Sequence, residues 1–114
     1  MSCHVLFVCG KNRLRSPTAE QVFADWPGVE TASAGTGHDA DCPVSAELLD
    51  WADVVLVMEA AHRTKIAARF LPQLRGKRLA VLGIPDVYDY MAPGLVQRLL
   101  ERVPRYLPAR DNGD

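Results

Sequence analysis

Residues 4 to 16 read His-Val-Leu-Phe-Val-Cys-Gly-Lys-Asn-Arg-Leu-Arg-Ser, and Pro17 follows. An apolar run ends on Cys9. Gly10, Lys11, Asn12, Arg13 and Leu14 then form a short loop, and Arg15 and Ser16 open what reads as a helix. A thiol in this strand–loop–helix setting can be held against an anion, because the loop amides and the helix N-terminus point inward at one. Positive surroundings of that kind lower a thiol's pKa from about 8.5, so that a nucleophilic thiolate exists at neutral pH. Arg15 offers a planar, two-pronged donor for two phosphate oxygens. Nucleophile, anion cradle and charge clamp thus share one loop. The plainer alternative is a buried strand-end cysteine before a solvated basic loop. Against it, Lys11, Arg13 and Arg15 repel one another unless something anionic sits among them.

The elements that position this loop follow from periodicity. His4–Cys9 is a continuous apolar strand of the kind buried on both faces of a parallel sheet. Ser16 reads as an N-cap with Pro17 as first helical residue, and Ala19, Val22, Phe23 and Trp26 share one helical face up to Pro27-Gly28. A second strand is expected over 29–34 and a short helix over 44–51, with Val44, Leu48 and Trp51 facing inward. A third strand over 53–58 and a helix over 60–71, turned inward on Ile66, Ala67 and Phe70, come next. A fourth strand over 78–82, a loop over 83–90 and a last helix over 93–103, apolar at Leu95, Val96, Leu99 and Leu100, complete the pattern. Regular alternation of strand and helix predicts an α/β domain, three layers α/β/α around a four-stranded parallel sheet with right-handed crossovers. The domain is expected to span 1–109, with 110–114 a frayed tail. Ligands of such sheets sit beyond the strands' carboxyl ends. Cys9, the Ser33-Ala34-Gly35-Thr36 turn, Met58-Glu59 and Pro85-Asp86 all fall there.

Composition narrows the function. A chain of 114 residues, 48% hydrophobic and 24% charged, is one ordinary globular domain. Its formal net charge of −1 gives no global argument for nucleic acid, and no apolar run is long enough to span a membrane. With no secretory leader pattern, a cytoplasmic location is expected. Cys3, Cys9 and Cys42 are odd in number and widely spaced, which suits neither a disulfide framework nor zinc. His38 with Asp39, Asp41 and Cys42 matches no common metal spacing, so no metal or other cofactor is expected.

Taken together, Val8-Cys9 through Arg15-Ser16-Pro17, Ser33-Ala34-Gly35-Thr36, Ala52-Asp53 through Met58-Glu59, and Ile84-Pro85-Asp86 with Tyr88 resemble the low-molecular-weight protein tyrosine phosphatases, in a short branch of that family. The resemblance implies a metal-independent phosphate-monoester hydrolase working through a phosphocysteine. It makes Cys9 the nucleophile, Arg15 with the amides of residues 10 to 15 the phosphate ligands, and Ser16 the hydrogen-bond donor to the sulfur. It implies a left-handed Asn12 bracing the loop, Ser33 holding Asn12, and Asp86 as general acid and base. A carboxyl beside a phosphate dianion keeps its proton through like charge, as that role requires.

Several residues depart from the family pattern. Leu14 stands where a second loop cysteine is usual, Lys11 where glycine is common and Arg13 where an apolar residue is common. The added charge suits a more anionic substrate than phosphotyrosine, or a different loop shape. Asp86-Val87-Tyr88-Asp89-Tyr90 replaces the usual Asp-Pro-Tyr, making Asp89 a competing acid. The stretch between Gly37 and Trp51, which borders the pocket in the family, reads as short. His38 is a possible substrate contact, Tyr88 a possible stacking partner, and Cys42 a possible resolving thiol for an oxidised Cys9. His62 reads as a surface histidine, Glu59 as a residue suited to a helix N-terminus, and Trp26 and Trp51 as core. The expected partner is a phosphorylated substrate, either a phosphotyrosine protein or a small phosphate monoester, for a monomer or homodimer. The rival reading is a phosphate-binding or sensor module with little turnover. An arsenate reductase on this fold would need further cysteines, and none follows Cys42.

Overall fold

The computed structural model of the protein describes residues 2–109; the tail expected at 110–114 lies outside them. Four strands, β1 (Cys3–Cys9), β2 (Val29–Gly35), β3 (Val54–Val57) and β4 (Arg78–Val81), form one parallel sheet in the order β2-β1-β3-β4. Between them run α1 (Arg15–Phe23), α2 (Ala46–Trp51) and α3 (Ala60–Leu74). After β4 come α4 (Pro93–Arg102) and a 3-10 turn at Pro104–Tyr106. From β1 the chain passes to β2 on one side, while β3 pairs on the other, so the sheet order switches at the end of β1. That end carries Cys9, as the rule for ligand sites in open α/β sheets expects.

The central strands are buried on both faces, which is why they read as unbroken apolar runs. Side chains alternate across the sheet. Val5, Phe7, Cys9, Leu56 and Met58 pack with Ala19 and Phe23 of α1 and Leu95 and Leu99 of α4. Leu6, Val8, Val55 and Val57 pack on the opposite face with Leu49 of α2 and Ile66 of α3. Phe7 and Phe23 stack at 5.9 Å between ring centroids, tying β1 to α1.

Several sequence expectations shift locally. Ser16 does not cap α1: the helix begins at Arg15 with Leu14 in the cap position and no side-chain cap, because the Ser16 hydroxyl is turned toward sulfur. Ser45 caps α2, its Oγ accepting from Leu48 N at 3.2 Å, and the fully buried Leu49 joins Val44 in the core, with Leu48 and Trp51 partly buried against it. The third helix continues past the expected stop to Leu74 through a non-helical Phe70, a break that accommodates Pro72. Leu100 is 50% exposed, so the apolar stripe of α4 is narrower than its sequence suggests. Trp26 and Trp51 lie half-buried at the edges of the two cores.

Candidate active site

The loop after β1 closes around the Cys9 sulfur. Ser16 Oγ lies 3.0 Å from Sγ, and the backbone N–H of Asn12 donates to Sγ over 3.3 Å. Asn12 adopts the left-handed conformation with φ 57°, which asparagine tolerates better than most residues. Its side-chain amide donates to Ser16 Oγ at 2.9 Å, and Ser16 is in turn placed to donate to the carbonyl of Ala34 at 3.3 Å. Loop and sulfur therefore share one hydroxyl.

Ser33 does not hold Asn12. Its side chain points to the α1 side of β2, where the hydroxyl donates to Glu20 Oε1 at 2.5 Å. The Ser33-Ala34-Gly35-Thr36 turn supports the loop through backbone instead: Thr36 N donates to Cys9 O and Gly37 N to Gly10 O, each at 2.9 Å. Gly35 is required at this crossing. A β-carbon there would meet the Ala40 β-carbon and the Gly10 carbonyl at 2.6 Å each.

Arg15 is buried, with a cluster of acceptors around its guanidinium. Its NH1 nitrogen donates to Glu59 Oε1 at 2.6 Å and to the Ile84 carbonyl at 2.7 Å, and its Nε lies 3.7 Å from Asp86 Oδ1. The other loop cations also have anions. Lys11 Nζ is 3.6 Å from Asp39, and Arg13 Nε is 3.1 Å from Asp41, whose backbone N–H donates to Lys11 O. The repulsion expected among three loop cations is thus relieved by carboxylates of the protein itself. A backbone hydrogen bond and then Lys11 hold the Asp39 carboxyl below the usual range.

Cys9, Gly10, Lys11, Arg13, Leu14 and Arg15 line a cleft of about 490 Å³ together with Glu59, His62 and Asp86. Of the two candidate acids, Asp86 lines this cleft and the exposed Asp89 does not. Tyr88 is half-buried and turned aside, its hydroxyl accepting from Arg98 Nε at 3.0 Å, and the exposed His38 lies outside the cleft lining. Among the described residues, no three His, Cys, Asp or Glu side chains gather to hold a metal, and no helix is long and apolar enough to cross a membrane.

The chain is 31% identical to a protein-arginine-phosphatase of Geobacillus stearothermophilus, over 68% of this chain and 68% of that one. It belongs to the low-molecular-weight protein phosphatase family. The tyrosine phosphatase Wzb from Escherichia coli K30, solved with phosphate, superposes with a TM-score of 0.73 at 26% identity, covering 93% of this chain and 96% of that chain. The YwlE arginine phosphatase from Geobacillus stearothermophilus superposes with a TM-score of 0.66 at 25% identity, covering 91% and 94%. No protein-family model matches the chain. The protein is accordingly a phosphatase of this fold.

Two residues of this phosphatase's cleft carry no signal in the linear pattern. Glu59, read from sequence as a helix-end residue, reaches back to Arg15. His62 is buried rather than at the surface, and its Nδ1 accepts the Glu59 backbone N–H at 3.0 Å. Cys42 is poorly placed to resolve an oxidised Cys9. Gly35 pairs with Cys9 on one side and bridges Pro43 on the other, so Cys42 lies about two strand spacings (~9–10 Å) away, beyond disulfide reach.

Proposed function

We propose that this phosphatase cleaves phosphate monoesters through a phosphocysteine on Cys9. The Cys9 sulfur attacks phosphorus as the bond to the leaving oxygen breaks, and Asp86 delivers a proton to that oxygen. Water then attacks the phosphocysteine, Asp86 takes its proton, and sulfur departs as a thiolate receiving hydrogen bonds from Ser16 Oγ and Asn12 N–H. Arg15 and the amides of residues 10 to 15 would bind the phosphoryl oxygens. Glu59 and the Ile84 carbonyl fix one guanidinium nitrogen, leaving the second terminal nitrogen, together with Nε beside Asp86, to meet phosphate. Asp86 rather than Asp89 is the acid in this reading. Its carboxylate lines the same cleft as Cys9 and Arg15, which the carboxylate of Asp89 does not. Substrates are phosphorylated protein side chains or small aryl phosphates.

The observation that carries this reading is the Cys9 sulfur within hydrogen-bond distance of the Asn12 N–H and the Ser16 hydroxyl in a loop that also presents Arg15. Hydrolysis of para-nitrophenyl phosphate between pH 5 and 8 with EDTA present tests it. Wild type is expected to turn over and Cys9→Ser to be inactive. Asp86→Asn is expected to fall about 10²–10⁴-fold while Asp89→Asn stays near wild type. A wild type as inert as Cys9→Ser would leave the loop as a phosphate holder.

A further inference from the structure

His62 occupies the third position of α3, on the cleft wall, with one ring nitrogen already committed. Its Nδ1 accepts the backbone N–H of Glu59 at 3.0 Å. A backbone amide can only donate, so Nδ1 carries no proton while that bond stands, and the neutral ring bears its hydrogen on Nε2. Burial and then the Arg15 guanidinium push the His62 pKa below its ordinary value, with Lys65 adding to the effect and Glu59 and Asp86 opposing it. The ring is therefore a fixed, uncharged donor at neutral pH.

Its position says what it can reach. A β-carbon built on Gly10 would lie 3.8 Å from Nε2. In a loop that cradles an anion, amides converge on the anion and side-chain directions diverge from it. Nε2 thus lies at the rim of the cradle, beside the outward edge of Gly10, and the missing side chain at Gly10 leaves the N–H open. The cleft of about 490 Å³ is much larger than a phosphate and His62 lines it, so its wall also meets what is attached to phosphorus.

We propose that His62 is a specificity-determining residue whose Nε2–H donates to an oxygen on the group attached to phosphorus, so that the cleft favours phosphate esters of hydroxyl groups over N-phosphorylated guanidines. A guanidine nitrogen bears hydrogens and meets Nε2–H as donor against donor, and an unsatisfied donor in a desolvated site penalises the wrong substrate. The inference rests on the phosphate-ester hydrolase reading above and refines its substrate class.

Two peptides of identical sequence, one carrying phosphotyrosine and one phosphoarginine, test it by their ratio of kcat/KM. Losses common to both substrates, in the nucleophile, the cradle or folding, cancel in that ratio. Glutamine and glutamate at the third helical position both accept the N-cap amide, so both variants retain the cap. Wild type is expected to favour phosphotyrosine. His62→Gln, which keeps a donor, should stay within about threefold of the wild-type ratio, and His62→Glu, which replaces donor with acceptor, should move it at least about tenfold toward phosphoarginine. Turnover with the ratio unchanged in His62→Glu, or a wild type that prefers phosphoarginine, overturns the role of His62 alone. A wild type inert toward both peptides and para-nitrophenyl phosphate overturns the hydrolase reading, and this inference with it.

Discussion

Cys9, Asn12, Arg15 and Ser16 were legible because they are neighbours in the chain, and a short loop leaves few ways to arrange them. The place of Asp86 on the cleft was legible from its position after Ile84-Pro85. Glu59 and His62 were not, since the bond from Arg15 to Glu59 spans 44 positions and depends on sheet order rather than local pattern, and His62 enters the cleft wall through Glu59. Ser33 was assigned to the loop although its strand position turns it toward Glu20. At this scale His62 makes a prediction about pH. Its folded pKa lies below the unfolded value of about 6.5, so its contribution to stability is present above that pH and fades as pH falls toward the folded value. Melting temperature followed from pH 7.5 to 5 should decline in wild type. The decline should be shallower in His62→Gln, which keeps the cap acceptor but cannot titrate; parallel curves would remove this residue from the acid response.

Among the elements, strands were easier to read than helix ends. Burial on both faces writes β1 and β3 as apolar runs, whereas helix termini depend on where a hydroxyl finds its partner. Ser16 looked like a cap and serves the sulfur; the helix expected to end at residue 71 runs on to Leu74 with Pro72 absorbed by a break at Phe70. The stretch after β2 illustrates how a loop can support cleft residues without lining the cleft. Residues 37 to 43 fold back so that Asp39 and Asp41 meet Lys11 and Arg13, and Gly35 lets the two backbones cross. Gly35→Ala should therefore destabilise the fold by about 1–3 kcal/mol, read from the urea midpoint, and lower turnover as well, because the displaced carbonyl belongs to Gly10. A stability loss with unchanged kcat would show that the loop tolerates the shift.

For the molecule as a whole, the sheet order β2-β1-β3-β4 decides which thiols can meet. Gly35 stands between Cys9 and the Cys42 region, so the described residues offer no internal route from an oxidised Cys9 to a disulfide. Sulfenic acid on Cys9 should proceed to sulfinic acid under peroxide. Treated protein is expected to show Cys9 carrying two added oxygens by peptide mass spectrometry, no peptide linking Cys9 to Cys42, and the same inactivation rate in Cys42→Ser. A cross-linked peptide would mean that the segment around Pro43 swings inward. The alternation of side chains along β1 has a further consequence. Val5, Phe7 and Cys9 face α1 and α4, while Leu6 and Val8 face α2 and α3. Losing or gaining one residue between Val5 and Cys9 would turn the sulfur to the wrong side of the sheet with every loop residue intact, whereas a change of two would keep its side. The aim of the Cys9 sulfur is an odd-or-even property of a strand whose other members do not line the cleft.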